Sequence, residues 1–205
     1  MIKSLLAVST ALKDPKGMAQ ALEHEAELPA LSKKEKGERL ERAAEARDRA
    51  KEGKKAFANI KKSLSLRPKH PRALKLLERI TRRLGNWEAH TFALEQQLEL
   101  LRPKRSEKEK KAALTILARV TEVSETKLQD PARATKALKQ LVALNPNDDA
   151  AWAHLDTLAR AAEDWSAVCD LLVRRVEVAE AEKAKLNALR ELADIQRDKL
   201  NDLDA

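Results

Sequence analysis

Residues 66–101 read LRPKHPRALKLLERITRRLGNWEAHTFALEQQLELL, and residues 144–179 read LNPNDDAAWAHLDTLARAAEDWSAVCDLLVRRVEVA. Laid over each other at an offset of 78 residues, they need no gap. Leu66, Pro68, Ala73, Leu77, Arg82, Trp87, Ala89 and Glu99 meet identical residues at Leu144, Pro146, Ala151, Leu155, Arg160, Trp165, Ala167 and Glu177. Ile80 also meets Leu158, Leu94 meets Leu172, and Leu98 meets Val176. The identities are sparse, but the apolar positions agree throughout, which is the trace left by a repeated supersecondary unit.

The punctuation repeats too. Asp14-Pro15 and Asp130-Pro131 each read as an N-cap aspartate followed by proline at the first helical position. The carboxylate oxygen accepts a free backbone N–H, and proline has no N–H to lose there. Asn86-Trp87 and Asp164-Trp165 use the same cap without the proline. Leu66-Arg67-Pro68 and Leu144-Asn145-Pro146 end helices, because proline disfavours α geometry in the residue before it. These signals divide the chain into about eleven helices, near 2–13, 15–28, 32–52, 54–66, 71–84, 86–101, 106–128, 131–144, 148–162, 164–180 and 182–202. Links of a few residues force successive helices into antiparallel hairpins. A coiled coil needs an unbroken heptad, and the caps and prolines interrupt it.

Composition agrees with helices. Ala, Leu, Glu, Lys and Arg dominate, and there are no Tyr, four Gly and two Phe. Strands favour β-branched and aromatic residues instead. Each helix carries an apolar stripe, such as Trp152, Leu155, Leu158, Ala159 and Ala162 in 148–162, or Val168, Leu171, Leu172 and Val176 in 164–180. A lone helix of this length is marginal in water. Stacking hairpin on hairpin buries the stripes, giving an all-α solenoid over residues 1–205. Its hairpins fall near 1–31, 32–70, 71–105, 106–147 and 148–181, with a half-repeat at 182–205.

The pattern resembles the tetratricopeptide repeat family. Trp152, Leu155 and Ala159 fit the first helix of one repeat, and Ala134, Leu138, Leu141 and Pro146 fit the second helix of the repeat before it. Leu74 and Leu77 fit another first helix, and Ala56, Ile60 and Pro68 the second helix preceding that one. There are departures. The family's glycine in the first helix is Asp156 or Glu78 here, and its tyrosine is Ala159 or Thr81. Alternate first helices, 32–52 and 106–128, look longer than the family norm. The unit is therefore a degenerate repeat of two hairpins, similar to the tandem arrays of large bacterial scaffold proteins. The resemblance implies a right-handed α-solenoid whose first helices line a concave groove, and a protein-binding role.

The charge is uneven. The chain carries +8 overall, and residues 51–83 hold twelve Lys and Arg against only Glu52 and Glu78. After Asn145 there are eight Lys and Arg against 14 Asp and Glu. In 71–84, Arg72, Lys75, Arg79, Arg82 and Arg83 share one side of the helical wheel, opposite Leu74, Leu77, Ile80 and Leu84. Arg72, Lys75 and Arg79 match the family's groove-facing positions, where some members clamp the carboxylates of an acidic peptide. Arginine suits that task, since it can hold a carboxylate through two parallel hydrogen bonds. The plainer reading is a solvated face that keeps the array soluble.

The expectation is thus a protein-interaction scaffold that takes an acidic peptide or protein surface on Arg72, Lys75, Arg79, Arg82 and Arg83. A structural spacer or self-associating array is the alternative. Met1 falls where Ala151 sits inside a first helix, and Asp202-Leu203-Asp204-Ala205 matches Asp130-Pro131-Ala132-Arg133, the start of a second helix. Both suggest a segment of a longer array, or ends that pack on another chain. Nucleic-acid binding through the same cations ranks third, for want of interleaved aromatics to stack bases. Trp87, Trp152 and Trp165 are expected to pack between helices. Catalysis is not expected. His24, His70, His90 and His154 have no metal-ligand spacing, Gly17, Gly37, Gly53 and Gly85 form no phosphate loop, and Cys169 reads as a small buried apolar residue. No cofactor, small-molecule substrate or membrane partner is implied. One cysteine suits a reducing compartment, hence a cytoplasmic location. The start at Met1-Ile2-Lys3 only faintly resembles a signal peptide, lacking a small-residue cleavage site.

Overall fold

Caps and prolines set the helix bounds. The computed structural model describes residues 14–178 and 181–200, without the side chain of Val178. Within them lie α1 (Pro15–Glu27), α2 (Lys33–Arg49), α3 (Gly53–Leu66), α4 (Pro71–Leu84), α5 (Trp87–Glu99), α6 (Glu107–Val123), α7 (Pro131–Leu144), α8 (Asp149–Ala161), α9 (Trp165–Val178) and α10 (Glu182–Ile195). Among the described residues there is no strand. The helix expected over 2–13 and the match at Asp202–Ala205 lie outside them.

The expected caps form. Asp14 accepts from the Lys16 N–H at 3.0 Å, Asn86 from Ala89 at 3.2 Å, Asp130 from Arg133 at 2.9 Å and Asp164 from Ala167 at 3.1 Å. Ser32 and Glu35 add a reciprocal capping box at the start of α2. Gly85 closes α4 in the left-handed region, φ 67°, where a Cβ would be strained. The offset of the sequence repeat is also that of the helices. α3, α4 and α5 begin at 53, 71 and 87, and α7, α8 and α9 at 131, 149 and 165.

The two long helices end differently from expectation. The one drawn to 52 stops at Arg49, because Lys51 turns left-handed, φ 60°, and the Glu52 N–H returns to the Arg47 carbonyl at 2.9 Å. The one drawn to 128 is α-helical only to Val123 and then widens into a π turn, Ser124–Leu128. A second π turn, Gln196–Leu200, follows α10. Each closes on the same two residues, Lys-Leu.

The helices form two compact units whose boundary falls within α6. In the first, α1 packs on α2, α2 on α3, α3 on α4 and α4 on α5. Its core holds Ala44, Ala56, Ile60, Ala73, Leu77, Ile80 and Ala93, with Phe57 and Leu64 packed against it. In the second, α7 packs on α8, α8 on α9 and α9 on α10. Its core includes Ala159, Val168, Cys169, Leu172, Ala188 and Ile195. Burial of a Leu, Ile or Val side chain contributes about 1.5–3 kcal/mol, so helices too short to persist alone are held by their neighbours.

Candidate interaction surface

Helix α4 sorts its residues by face. Ala73, Leu74, Leu76, Leu77, Ile80 and Thr81 are buried. Arg72, Lys75, Arg79, Arg82 and Arg83 are all exposed, as the wheel predicts. Leu84 does not follow the wheel and is exposed. It lies in the last turn, beside Gly53, where an added Cβ would stand 2.7 Å from Leu84 Cδ2.

The five cations divide into two classes. Helix α2 presents Glu41, Glu45 and Asp48 to α4, spaced so that they share one side of a helix. Arg72 Nε lies 3.3 Å from Glu41 Oε1, and its Nη2 donates to Glu45 Oε2 at 3.4 Å. Arg79 Nε lies 3.2 Å from Asp48 Oδ2. Arg83 pairs with the other Asp48 oxygen and donates to the Asp48 carbonyl at 3.3 Å. Glu41 also receives Arg67 and lies 3.2 Å from His70 Nδ1. Glu41 and Asp48 are buried, while Arg72 and Arg79 stay 72% and 59% exposed. Among the described residues, no carboxylate pairs with Lys75 or Arg82. Reading α4 alone missed these acids, because they lie 27 to 35 residues away on another helix.

Exposed ion pairs contribute little to stability, about 0–1 kcal/mol each. Their effect here is on position. A guanidinium has five N–H donors in a rigid fork, and each pair engages one edge. The arginines are oriented by α2 and keep donors facing solvent.

A second polar cluster joins α1, α2 and α3. Buried Arg47 donates to both Glu23 oxygens, at 2.9 and 2.7 Å, and to Glu52 at 2.5 Å, and Asn59 donates to Glu23 at 2.6 Å. The Arg47 bond holds the Glu23 carboxyl below the usual carboxylate range, with burial opposing and Asn59 assisting. The same bond pushes Arg47 further up. Gly37 instead serves the Glu41 cluster by close approach, since a Cβ there would stand 2.7 Å from Nε of Arg67, which pairs with Glu41.

The tryptophans pack as expected only in part, for all three are half-buried with a cation over the ring. Lys127 lies 5.7 Å from the Trp87 centroid and Lys199 5.1 Å from that of Trp165, each lysine supplied by a π turn. Arg174 stacks on Trp152 at 3.3 Å. The Pro146 carbonyl accepts from Trp152 Nε1 at 3.1 Å and from Arg174 as well. Cys169 is buried, and burial pushes its thiol up, with Asp170 adding to the effect. His90 is buried edge-on to Trp87, and His154 Nε2 lies 2.8 Å from Glu125. Among the described residues, no three His, Cys, Asp or Glu side chains converge as metal ligands, and no helix is long and apolar enough to cross a membrane.

No protein-family model matches the sequence, and no curated protein matches it. Solved structures resemble it at low identity. A chain of the Naa15/Naa10 complex bound to HypK-THB is 16% identical, over 99% of this chain and 32% of that one, with a TM-score of 0.53. The present chain therefore spans about a third of that protein's length. MamA from Desulfovibrio magneticus RS-1 is 13% identical over 97% and 94%, TM-score 0.45. The P58(IPK) TPR domain is 13% identical over 97% and 66%, TM-score 0.42. Its hairpins, helix order and repeated register give this chain a tetratricopeptide-like, all-α helical-repeat fold.

Proposed function

We propose that the chain is a protein-interaction scaffold that takes acidic peptide or protein surfaces on the exposed face of α4. One observation carries this reading. Arg72, Arg79 and Arg83 are held on one edge by Glu41, Glu45 and Asp48, while Lys75 and Arg82 on the same helix have no ion-pair partner among the described residues. Oriented guanidinium groups lose less freedom when they bind, and that preorganisation favours affinity. The surrounding positive charge speeds encounter with an acidic partner. The paired arginines also lower the net charge of the face, so Lys75 and Arg82 supply most of its uncompensated attraction.

The test uses a labelled hexaglutamate peptide and the intact chain. Reversing both unpaired cations, Lys75→Glu with Arg82→Glu, is expected to weaken binding at least about tenfold and leave the fold intact. Added salt is expected to weaken the wild-type complex. Unchanged affinity in the double variant overturns the assignment. A labelled oligonucleotide bound more tightly than the peptide, and lost in the same variant, transfers the face to nucleic acid.

Self-association has one observation of its own. Leu186 and Leu189 on α10 are each 48% exposed, and adjacent exposed leucines are a common mark of contact surfaces. Replacing both with lysine should then lower the mass seen by light scattering at high concentration.

A further inference from the structure

The repeat makes one half of the chain a reference for the other. In the first unit, Phe57 on α3 packs against the core beside Ala56, Ile60, Leu77 and Ala93, and Lys61 lies 5.6 Å from its ring centroid. At the offset of 78 residues, Phe57 becomes Thr135 and Lys61 becomes Lys139, both on α7. The cation is kept and the ring is gone. Phe92 on α5, the chain's other phenylalanine, becomes Asp170 on α9.

A cavity of about 240 Å³ lies at that place in the second unit. Its walls include Val142, Leu155, Ala159, Ala167 and Leu171, with Thr135 and Lys139 on the α7 side. The stacked Trp152 and Arg174 and the carboxylate of Asp170 complete it. An apolar protein cavity of ~150 Å³ is enough to accept benzene, so one aromatic side chain fits. The cavity opens onto a shallow groove along α7 that adds Lys136. Lys136 and Lys139 are exposed and make no ion pair among the described residues. With Arg174 they set three cations around the cavity, which itself holds one carboxylate, Asp170, while Asp149 and Glu177 lie within electrostatic reach of Arg174.

We infer that this cavity is a docking site for an aromatic side chain of a partner protein, carried on a segment rich in carboxylates. The ring takes the position that Phe57 holds in the first unit. Lys139 lies over it as Lys61 lies over Phe57, an attraction of cation to ring face. The flanking carboxylates meet Lys136 and Arg174. This site is separate from the α4 face, and neither assignment depends on the other.

The test uses the full chain with labelled methyl groups and three probes: 3-phenylpropanoate, 3-phenylpropylamine and propanoate. The Val142, Leu155 and Leu171 signals should shift saturably with 3-phenylpropanoate, several-fold more weakly with the amine, and not at all with propanoate. Thr135→Phe restores the ring found in the first unit. It should abolish those shifts and raise Tm by about 2–4 °C, as cavity filling does in a chain of this size. A lowered Tm with the fold retained means overpacking and removes the cavity. If Thr135→Phe does not fold, Asp170→Phe, the counterpart of Phe92, must block the probe from the rim. Still methyl signals with 3-phenylpropanoate overturn the site, and equal binding of the amine overturns its preference for acidic segments. The pair Lys75→Glu and Arg82→Glu should leave these shifts unchanged, so the two proposed surfaces fail separately.

Discussion

Glu23 accepts from Arg47 and Asn59, and both contacts favour its ionised form. Its folded-state pKa is therefore depressed below that of the unfolded chain. A group of that kind contributes stability in full above its unfolded value, near 4.3 for glutamate. The contribution is lost as pH falls through the lower folded value. Acid should loosen the α1–α2–α3 packing on that limb, and Glu23→Gln should flatten it, read as amide exchange in α1 and α3 between pH 7 and pH 3. An acid limb identical in the variant would show that Glu23 is not coupled to folding. No single helix showed this contact in the sequence. Glu23, Arg47 and Asn59 are 24 and 36 residues apart, and only the packing of three helices unites them.

At the scale of elements, caps decide. Asp164 holds the start of α9 through the Ala167 N–H, and losing such a cap costs about 1 kcal/mol. Asp164→Ala should lower the melting temperature of the second unit, while Asp164→Asn, which keeps the oxygen, should retain it. Equal loss in both would assign the effect to charge at the helix end. Cap chemistry is local, so it was legible: the bounds of α7 agree with those read from Asp130-Pro131 and Leu144-Asn145-Pro146, and α9 starts where Asp164-Trp165 placed it. The π turn at Ser124–Leu128 was not legible, since the helical periodicity runs on through it and the reading carried the helix to 128. The basic side of α4 was read correctly as a row of cations. Its partners on α2 were missed, although Glu41, Glu45 and Asp48 already share a helical side and could have announced an acidic stripe. The exchange of Phe57 for Thr135 was visible in the offset, but only the cavity gave it meaning.

Within each unit, the packing is chiefly between successive helices. In such arrays stability is close to a sum of local terms, and opening is regional. Ile60 is fully buried in the core of the first unit, and truncating a buried isoleucine to alanine costs about 2–5 kcal/mol. Ile60→Ala should therefore speed amide exchange in α3 and α4 and leave α9 and α10 protected. Uniform loss of protection would mean that the chain unfolds as one cooperative body. The split of charge follows the same scale: cations gather in 51–83, and acids prevail after Asn145.

The placement of the three indoles has an optical consequence. With no tyrosine in the chain and only two weakly emitting phenylalanines, emission excited at the red edge of the protein's ultraviolet absorption comes from tryptophan. Trp87 alone reports on the first unit, while Trp152 and Trp165 report on the second. Each indole lies under its own ammonium or guanidinium group, so loss of that contact should register in its emission. The protein carries its own dyes, distributed so that either half can be watched without attaching another.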